Sequence, residues 1–254
     1  MPIPSQHPAK PRRTKIVATI GPACDSPDVL KAMMKAGMNV ARLNLSHGTL
    51  EEHKARIDLL RSVSDGIGRH IAIMIDTRGI EIRTRMISDG TVDLVPGDIF
   101  SLYMDERPGN AEGVSITYSH LAQEVSPGTP ILLDDGAIEL EVRQIEEGVI
   151  RCVVIHGGRL GNSKSVNLPD TQLAITAVSP ENRDDVLREL GFAAENDADY
   201  IAASFMQRAD DVEAIRGFLE GLGGEHIRII AKIENREGLK NLDAIVEAAD
   251  GTMV

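Results

Sequence analysis

Strands and helices take turns along this chain of 254 residues, and that alternation narrows the architecture more than any other feature. TKIVATI begins at Thr14, a helical pattern covers Pro27 to Ala36, VARLNL follows, a second helical pattern covers Leu50 to Val63, and IAIMID follows that. Strands rich in Val and Ile with helices between them call for a parallel sheet, because each crossover needs a helix to return the chain to the same edge. The helix starts carry their own chemistry: Ser26 precedes Pro27 at the first helical position, and Thr49 stands three residues before Glu52 in a capping box. The rhythm returns near Thr171, with a helix opening at Ser179-Pro180, the strand YIAASF, a helix from Asp210 to Gly221, the strand IRIIAKI, a helix from Arg236 to Ala248, and a last strand in GTMV. That makes six of the eight strands a (β/α)8 barrel needs, so the expected fold is an α/β barrel of TIM type, incomplete as supplied.

Between these stretches the pattern changes. After Arg85 come short alternating strands separated by Asp89-Gly90, Pro96-Gly97, Pro127-Gly128 and Asp135-Gly136, which reads as an inserted small antiparallel β-barrel domain. The expected layout is a flexible tail over 1–13, barrel segments at 14–86 and 169–254, and the inserted domain at 87–168.

Composition excludes some classes of function. A formal charge of -12 argues against nucleic-acid binding through a general basic surface. No apolar run approaches a membrane span, and the opening MPIPSQHPAKPRR has no apolar segment after its basic cluster. Cys24 and Cys152 lack metal-type spacing and read as two reduced thiols of a cytoplasmic protein. Met33, Met34 and Met38 read as core filler. His7, His53, His70, His120, His156 and His226 have neither metal spacing nor a nucleophile partner, so surface or packing roles are expected.

Chemistry concentrates at strand ends. IRIIAKIEN, from Ile227 to Asn235, places Lys232 and Glu234 two residues apart in an apolar run, and strand alternation sends both to the same side. Buried there, the pair suits a phosphoryl group in transfer, with the ammonium on its oxygens and the carboxylate on a divalent cation. A structural ion pair at a strand terminus accounts for the same residues equally well. VARLNLSHG and IAIMIDTRGIEIRT likewise end apolar strands in polar clusters, where parallel α/β folds keep their chemistry. Oxygen ligands on Asn44, Ser46, Asp76 and Thr77 suit a hard cation. Read alone, Asn44 and Ser46 are turn-formers and Asp76 a helix cap.

The blocks TKIVATIGPA, GMNVARLNLSHG, IDTRGIEIRT, DDGAIELEV, KSVNLPD, IAASF and AKIENREGL, in this order and at this spacing, resemble the pyruvate kinase family over nearly the whole chain. The resemblance implies a barrel interrupted after its third strand by a β domain that acts as a lid. It implies phosphoryl transfer from phosphoenolpyruvate to ADP, giving pyruvate and ATP, with Mg2+ (or Mn2+) and K+. Lys232 and Arg42 would meet the transferred phosphoryl group. Glu234 would hold magnesium, and Asn44, Ser46, Asp76 and Thr77 would hold potassium. His47, Arg83 and Lys164 would contact nucleotide phosphates, Lys164 having a solvated surface charge as its plain alternative. Glu81 matches the glutamate that accompanies potassium dependence in the family. Asp134-Asp135-Gly136 is expected to be a turn first and a lid element second. A full-length member is expected to be a homotetramer.

The match departs in places. Arg78 stands for a usual Lys, Ile80 for a Pro, Ser165 and Asp170 for Gly residues, and SPEN at Ser179 to Asn182 for a SEKD-like helix start. The family's second metal carboxylate, in an ARGDLG block, is expected after Val254, which leaves the metal site half built in this stretch. Two other readings compete: a lyase or aldolase on a related phosphoenolpyruvate-type barrel, which the inserted domain disfavours, and a non-catalytic remnant serving as a binding module.

Overall fold

The computed structural model describes residues 13–79, 82–169, 171, 173, 176, 178–179 and 182–254. The expectations for the tail, Ile80, Glu81, Asp170 and the Pro180 helix opening lie outside these residues.

The parallel part begins with β1 (Ile16–Thr19), α1 (Pro27–Ala36), β2 (Met38–Asn44), α2 (Leu50–Ile67) and β3 (Ala72–Asp76). The inserted part holds β4 (Thr91–Leu94), β5 (Ile99–Tyr103), β6 (Gly113–Ser115), β7 (Pro130–Leu133), β8 (Ile138–Glu146), β9 (Val149–His156), β10 (Gly158–Gly161) and β11 (Val166–Asn167). The chain ends with α3 (Arg183–Glu195), β12 (Tyr200–Ala203), α4 (Ala209–Gly221), β13 (Arg228–Lys232), α5 (Arg236–Lys240), α6 (Leu242–Ala248) and β14 (Gly251–Met253). The fold is α/β, its parallel strands bonded in the order β1-β2-β3-β12-β13-β14.

Local chemistry sets the helix ends as expected. Ser26 Oγ accepts from the Val29 amide, and Pro27 opens α1. Thr49 and Glu52 cap α2 reciprocally. α2 runs four residues past the expected end and stops at Gly68, whose φ of 61° suits the left-handed cap. The helix expected from Arg236 to Ala248 is broken at Asn241, whose backbone leaves the helical region at φ -99° and ψ 16° while its side chain donates to the Gln207 and Glu237 carbonyl oxygens.

By internal packing the chain forms two compact units. The first comprises residues 1–77, 187–202 and 216–230. There β1, β2, β3 and β12 pair in parallel, and the last four residues of β3 are all buried, which explains its unbroken apolar run. Leu30, Met34, Leu43, Ile57, Leu60 and Ile75 fill its core at 1% exposure or less. Met34 and Met38 are buried as expected, whereas Met33 is only half-buried.

The second unit comprises residues 78–186, 203–215 and 231–254. Its strands alternate, as Ile138, Leu140 and Val142 of β8 point inward, and they surround a dry core that includes Phe100, Leu102, Ile131, Ile150 and Cys152. The main ladder runs β11-β7-β8-β9-β5-β6, antiparallel except for the β5–β6 pair. Residues 82–85 join its two ends. On one side Val166 donates to the Ile82 carbonyl at 2.8 Å and Thr84 to the Lys164 carbonyl at 2.8 Å; on the other, Thr117 donates to Arg83 at 2.9 Å and Arg85 to Ser115 at 2.7 Å. A closed ring leaves fewer open edges. It also draws residues 82–85, expected with the barrel segments, into the β domain's hydrogen bonding.

Candidate active site

In the first unit, β2 and β3 run in register so that Asn44 lies opposite Asp76. Arg42 Nε donates to Asp76 Oδ2 at 2.6 Å, its terminal nitrogen also meets that oxygen, and Nη1 donates to Thr19 Oγ1 at 2.8 Å. Asp76 is 1% exposed and Arg42 26%, so the carboxylate is enclosed while the guanidinium keeps one side open. The helix-cap reading of Asp76 is thereby corrected, since the residue ends a strand and answers a cation. Thr77 follows, also buried, with its amide donating to the Ala202 carbonyl at 3.1 Å and its hydroxyl 3.4 Å from the same oxygen.

Asn44 Oδ1 accepts the Ser46 amide at 3.0 Å, the local turn its residue type favours. One amide does not exhaust a carbonyl oxygen, so the turn and a cation-ligand role are compatible. His47 is exposed, and its carbonyl oxygen lies 2.7 Å from His53 Nε2.

In the second unit, Lys232 ends β13 and Glu234 continues the extended chain, since the Ile233 amide donates to the Met253 carbonyl at 2.9 Å. Their headgroups converge as alternation predicts, with Lys232 Nζ 3.1 Å from Glu234 Oε1. Burial differs from expectation: the side chains are 13% and 30% exposed, because they share the less covered face of the strand with Arg228 and Ile230, while Ile229, Ala231 and Ile233 fill the buried face. What holds it is local. Lys232 Nζ donates to Ser204 Oγ at 2.8 Å, and the Phe205 amide donates to Glu234 Oε2 at 2.9 Å. Phe205 itself takes a left-handed φ of 55°. A non-glycine residue in that region signals a locally imposed conformation.

Sequence reading missed Ser204, Phe205 and Thr19. Two of them were within its reach, since Thr19 ends β1 and Ser204 follows β12 directly, the strand-end positions already under suspicion. The Phe205 backbone angle leaves no mark in residue type. Glu234 and Phe205 open onto a cavity of about 640 Å³ in this unit, walled also by Ser165, Asn167, Arg236 and Lys240.

Arg83 and Lys164 also lie in the second unit. Arg83 Nη1 donates to the Ser163 carbonyl at 2.7 Å, and Lys164 Nζ sits 2.8 Å from Asp134 Oδ1. Asp134 and Asp135 both have positive φ, 52° and 55°, and the Gly136 amide returns to the Leu133 carbonyl at 3.2 Å, so the expected hairpin turn is present.

Among the described residues no three His, Cys, Asp or Glu side chains gather as a complete metal site. Magnesium is usually held by one or two carboxylates together with substrate phosphates and water, and Glu234 supplies one carboxylate beside a cavity. The oxygen donors at Asn44, Ser46, Asp76 and Thr77 match a hard cation in chemistry.

Comparison with known proteins decides the family: residues 11–254 match the model of the pyruvate kinase barrel domain. The chain belongs to the pyruvate kinase family. It is 48% identical over 245 residues to the pyruvate kinase of Geobacillus stearothermophilus and 46% identical over the same length to that of Staphylococcus haemolyticus. Each alignment covers 96% of this chain and 41% of the relative, so the chain spans well under half the length of these pyruvate kinases. Among the described residues no helix is long and apolar enough to cross a membrane.

Proposed function

We propose that this chain carries the phosphoryl-transfer site of a pyruvate kinase, moving phosphoryl from phosphoenolpyruvate to ADP and releasing pyruvate and ATP. One observation carries the reading: Lys232 Nζ and Glu234 Oε1 lie 3.1 Å apart, each braced by a neighbouring protein group, and Glu234 lines a cavity. A preorganised cation at this point stabilises charge that develops on phosphoryl oxygens, and it needs no rearrangement as the reaction proceeds.

Lys232 and Arg42 hold the phosphoryl oxygens in this reading. Arg83 and Lys164, with His47, orient the nucleotide phosphates. Magnesium bound through Glu234 would neutralise phosphate charge, and potassium would be held by Asn44, Ser46, Asp76 and Thr77. Ser204 and the Phe205 amide fix the two headgroups, so reactive geometry is paid for in folding rather than in the encounter. A cytoplasmic location and a homotetrameric full-length protein belong to the same reading.

Titration calorimetry with phosphoenolpyruvate and magnesium tests the binding half of this reading, and a coupled assay for pyruvate release tests the chemical half. Lys232→Met is expected to lower pyruvate formation by on the order of 10²–10³. Glu234→Gln is expected to remove the magnesium dependence of binding. Binding and turnover unchanged in both variants would refute the assignment.

A further inference from the structure

Ser165, which the resemblance sets against a usual glycine, has a hydroxyl that both accepts and donates a hydrogen bond. Ser165 Oγ accepts the Asp135 amide at 2.8 Å and donates to Asp135 Oδ1 at 2.7 Å, while the Ser165 carbonyl accepts the Asp134 amide at 3.1 Å. Glycine could make only the last of these. The hydroxyl therefore ties down a turn whose two aspartates both hold left-handed backbone angles. The tied turn presents Asp134 Oδ1 to Lys164 Nζ at 2.8 Å. The main chain of Lys164 is fixed as well, by reciprocal bonds with Thr84: its amide to Thr84 Oγ1 at 2.9 Å and its carbonyl to the Thr84 amide at 2.8 Å. Only the lysine headgroup is left to move. The pair is half-exposed, 38% on Lys164 and 29% on Asp134, a setting in which an ion pair is weak enough to exchange partners.

We infer that Asp134 is the resting counter-ion of Lys164, that a nucleoside diphosphate must displace it to reach the ammonium, and that Ser165 is the positioning residue that holds Asp134 in that competing place. The inference rests on the nucleotide role given to Lys164 above. It adds a built-in competitor that lowers nucleotide affinity, and a serine that sets its strength.

Two measurements test it on the whole chain. In the ligand-free protein, amide hydrogen exchange at Asp135 should accelerate about tenfold in Ser165→Gly and in Ser165→Ala, and Ser165→Thr should restore it. Unchanged exchange in Ser165→Gly overturns the positioning role whether or not nucleotide binds. In ADP titrations, Asp134→Asn should bind about three- to fivefold more tightly than wild type, the size expected for losing one half-exposed ion pair. Asparagine tolerates the left-handed backbone angle, so the turn survives the change. Ser165→Gly, which alters no charge, should tighten binding about twofold. The control Glu139→Gln, whose carboxylate pairs with His156, should leave affinity unchanged. Wild type that binds ADP with no gain, or with a loss, in Asp134→Asn overturns the counter-ion. Wild type that binds no ADP overturns the nucleotide reading beneath it, a result distinct from the others.

Discussion

Asp76 and Asp134 each hold a basic residue that the resemblance assigns to phosphate chemistry, yet the two carboxylates sit in different physical regimes. Asp76 is 1% exposed at the end of a strand buried on both faces, and Arg42 reaches it with two guanidinium nitrogens while a third holds Thr19. Asp134 is 29% exposed on a hairpin turn and meets Lys164 at a single contact. Water screens both partners of the second pair, whereas in the first it reaches the guanidinium's open side and not the carboxylate. A buried carboxylate cannot shed its cation without a large desolvation penalty, so Arg42 is a fixed element, whereas Lys164 can trade its partner for a ligand. The parallel sheet supplies positions that stay put, and the β domain supplies positions that exchange.

Removing the fixed cation breaks this contrast most strongly. Arg42→Ala should cost about 3 kcal/mol of unfolding free energy in urea titration, because Asp76 would remain enclosed and charged. Asp76→Asn in the same background should recover much of that loss, and a cost below about 1 kcal/mol in the single variant would place Asp76 in the exchangeable class instead. Next in size is Gly79, in the second unit, with φ of 68° and an added Cβ 2.5 Å from Ser204 Cβ and 2.8 Å from Phe205 Cδ2. Gly79→Ala should cost about 2 kcal/mol through backbone strain and crowding, and should loosen the Ser204 brace on Lys232. A variant of unchanged stability with unchanged phosphoenolpyruvate affinity would dissociate Gly79 from the site.

Cys152 probes the dry interior of the β domain. Burial pushes its thiol up from 9.0 to about 12. Between those values the folded chain keeps a proton that the unfolded chain has lost, so stability falls as pH rises through this window. The loss should be about 1 kcal/mol between pH 9 and 10, and should vanish in Cys152→Ala. The same thiol should resist alkylation in the native state while Cys24, half-exposed, reacts.

Much of this architecture was legible because it depends on short-range rules. Apolar runs, capping residues and turn pairs placed the helices and the hairpins, and strand alternation placed Lys232 beside Glu234. What escaped depends on contacts between distant residues. No local signal shows residues 82–85 closing a ring between Lys164 and Ser115, or Asn241 giving its side chain to Gln207 and breaking a helix. The burial of Lys232 and Glu234 was overestimated for a related reason: an apolar run shows that a strand is covered but not which of its two faces is covered less, and here Ile229, Ala231 and Ile233 take the buried face. Ser165 could be flagged as a departure from glycine, but only coordinates join its hydroxyl to Asp135.

The smallest effect is the most discriminating. Lys164→Ala should change unfolding free energy by less than about 1 kcal/mol, since a half-exposed pair gains little from its Coulomb attraction and costs side-chain freedom. Raising the salt concentration should narrow even that difference, because screening acts on exposed pairs first. The unfolding difference between Arg42→Ala and wild type should persist in the same salt series. Thermal melts of the three proteins at low and high salt would show it directly. A Lys164→Ala loss as large and as salt-resistant as that of Arg42→Ala would mean that Asp134 holds its lysine as a structural anchor, and the division between fixed and exchangeable cations would collapse.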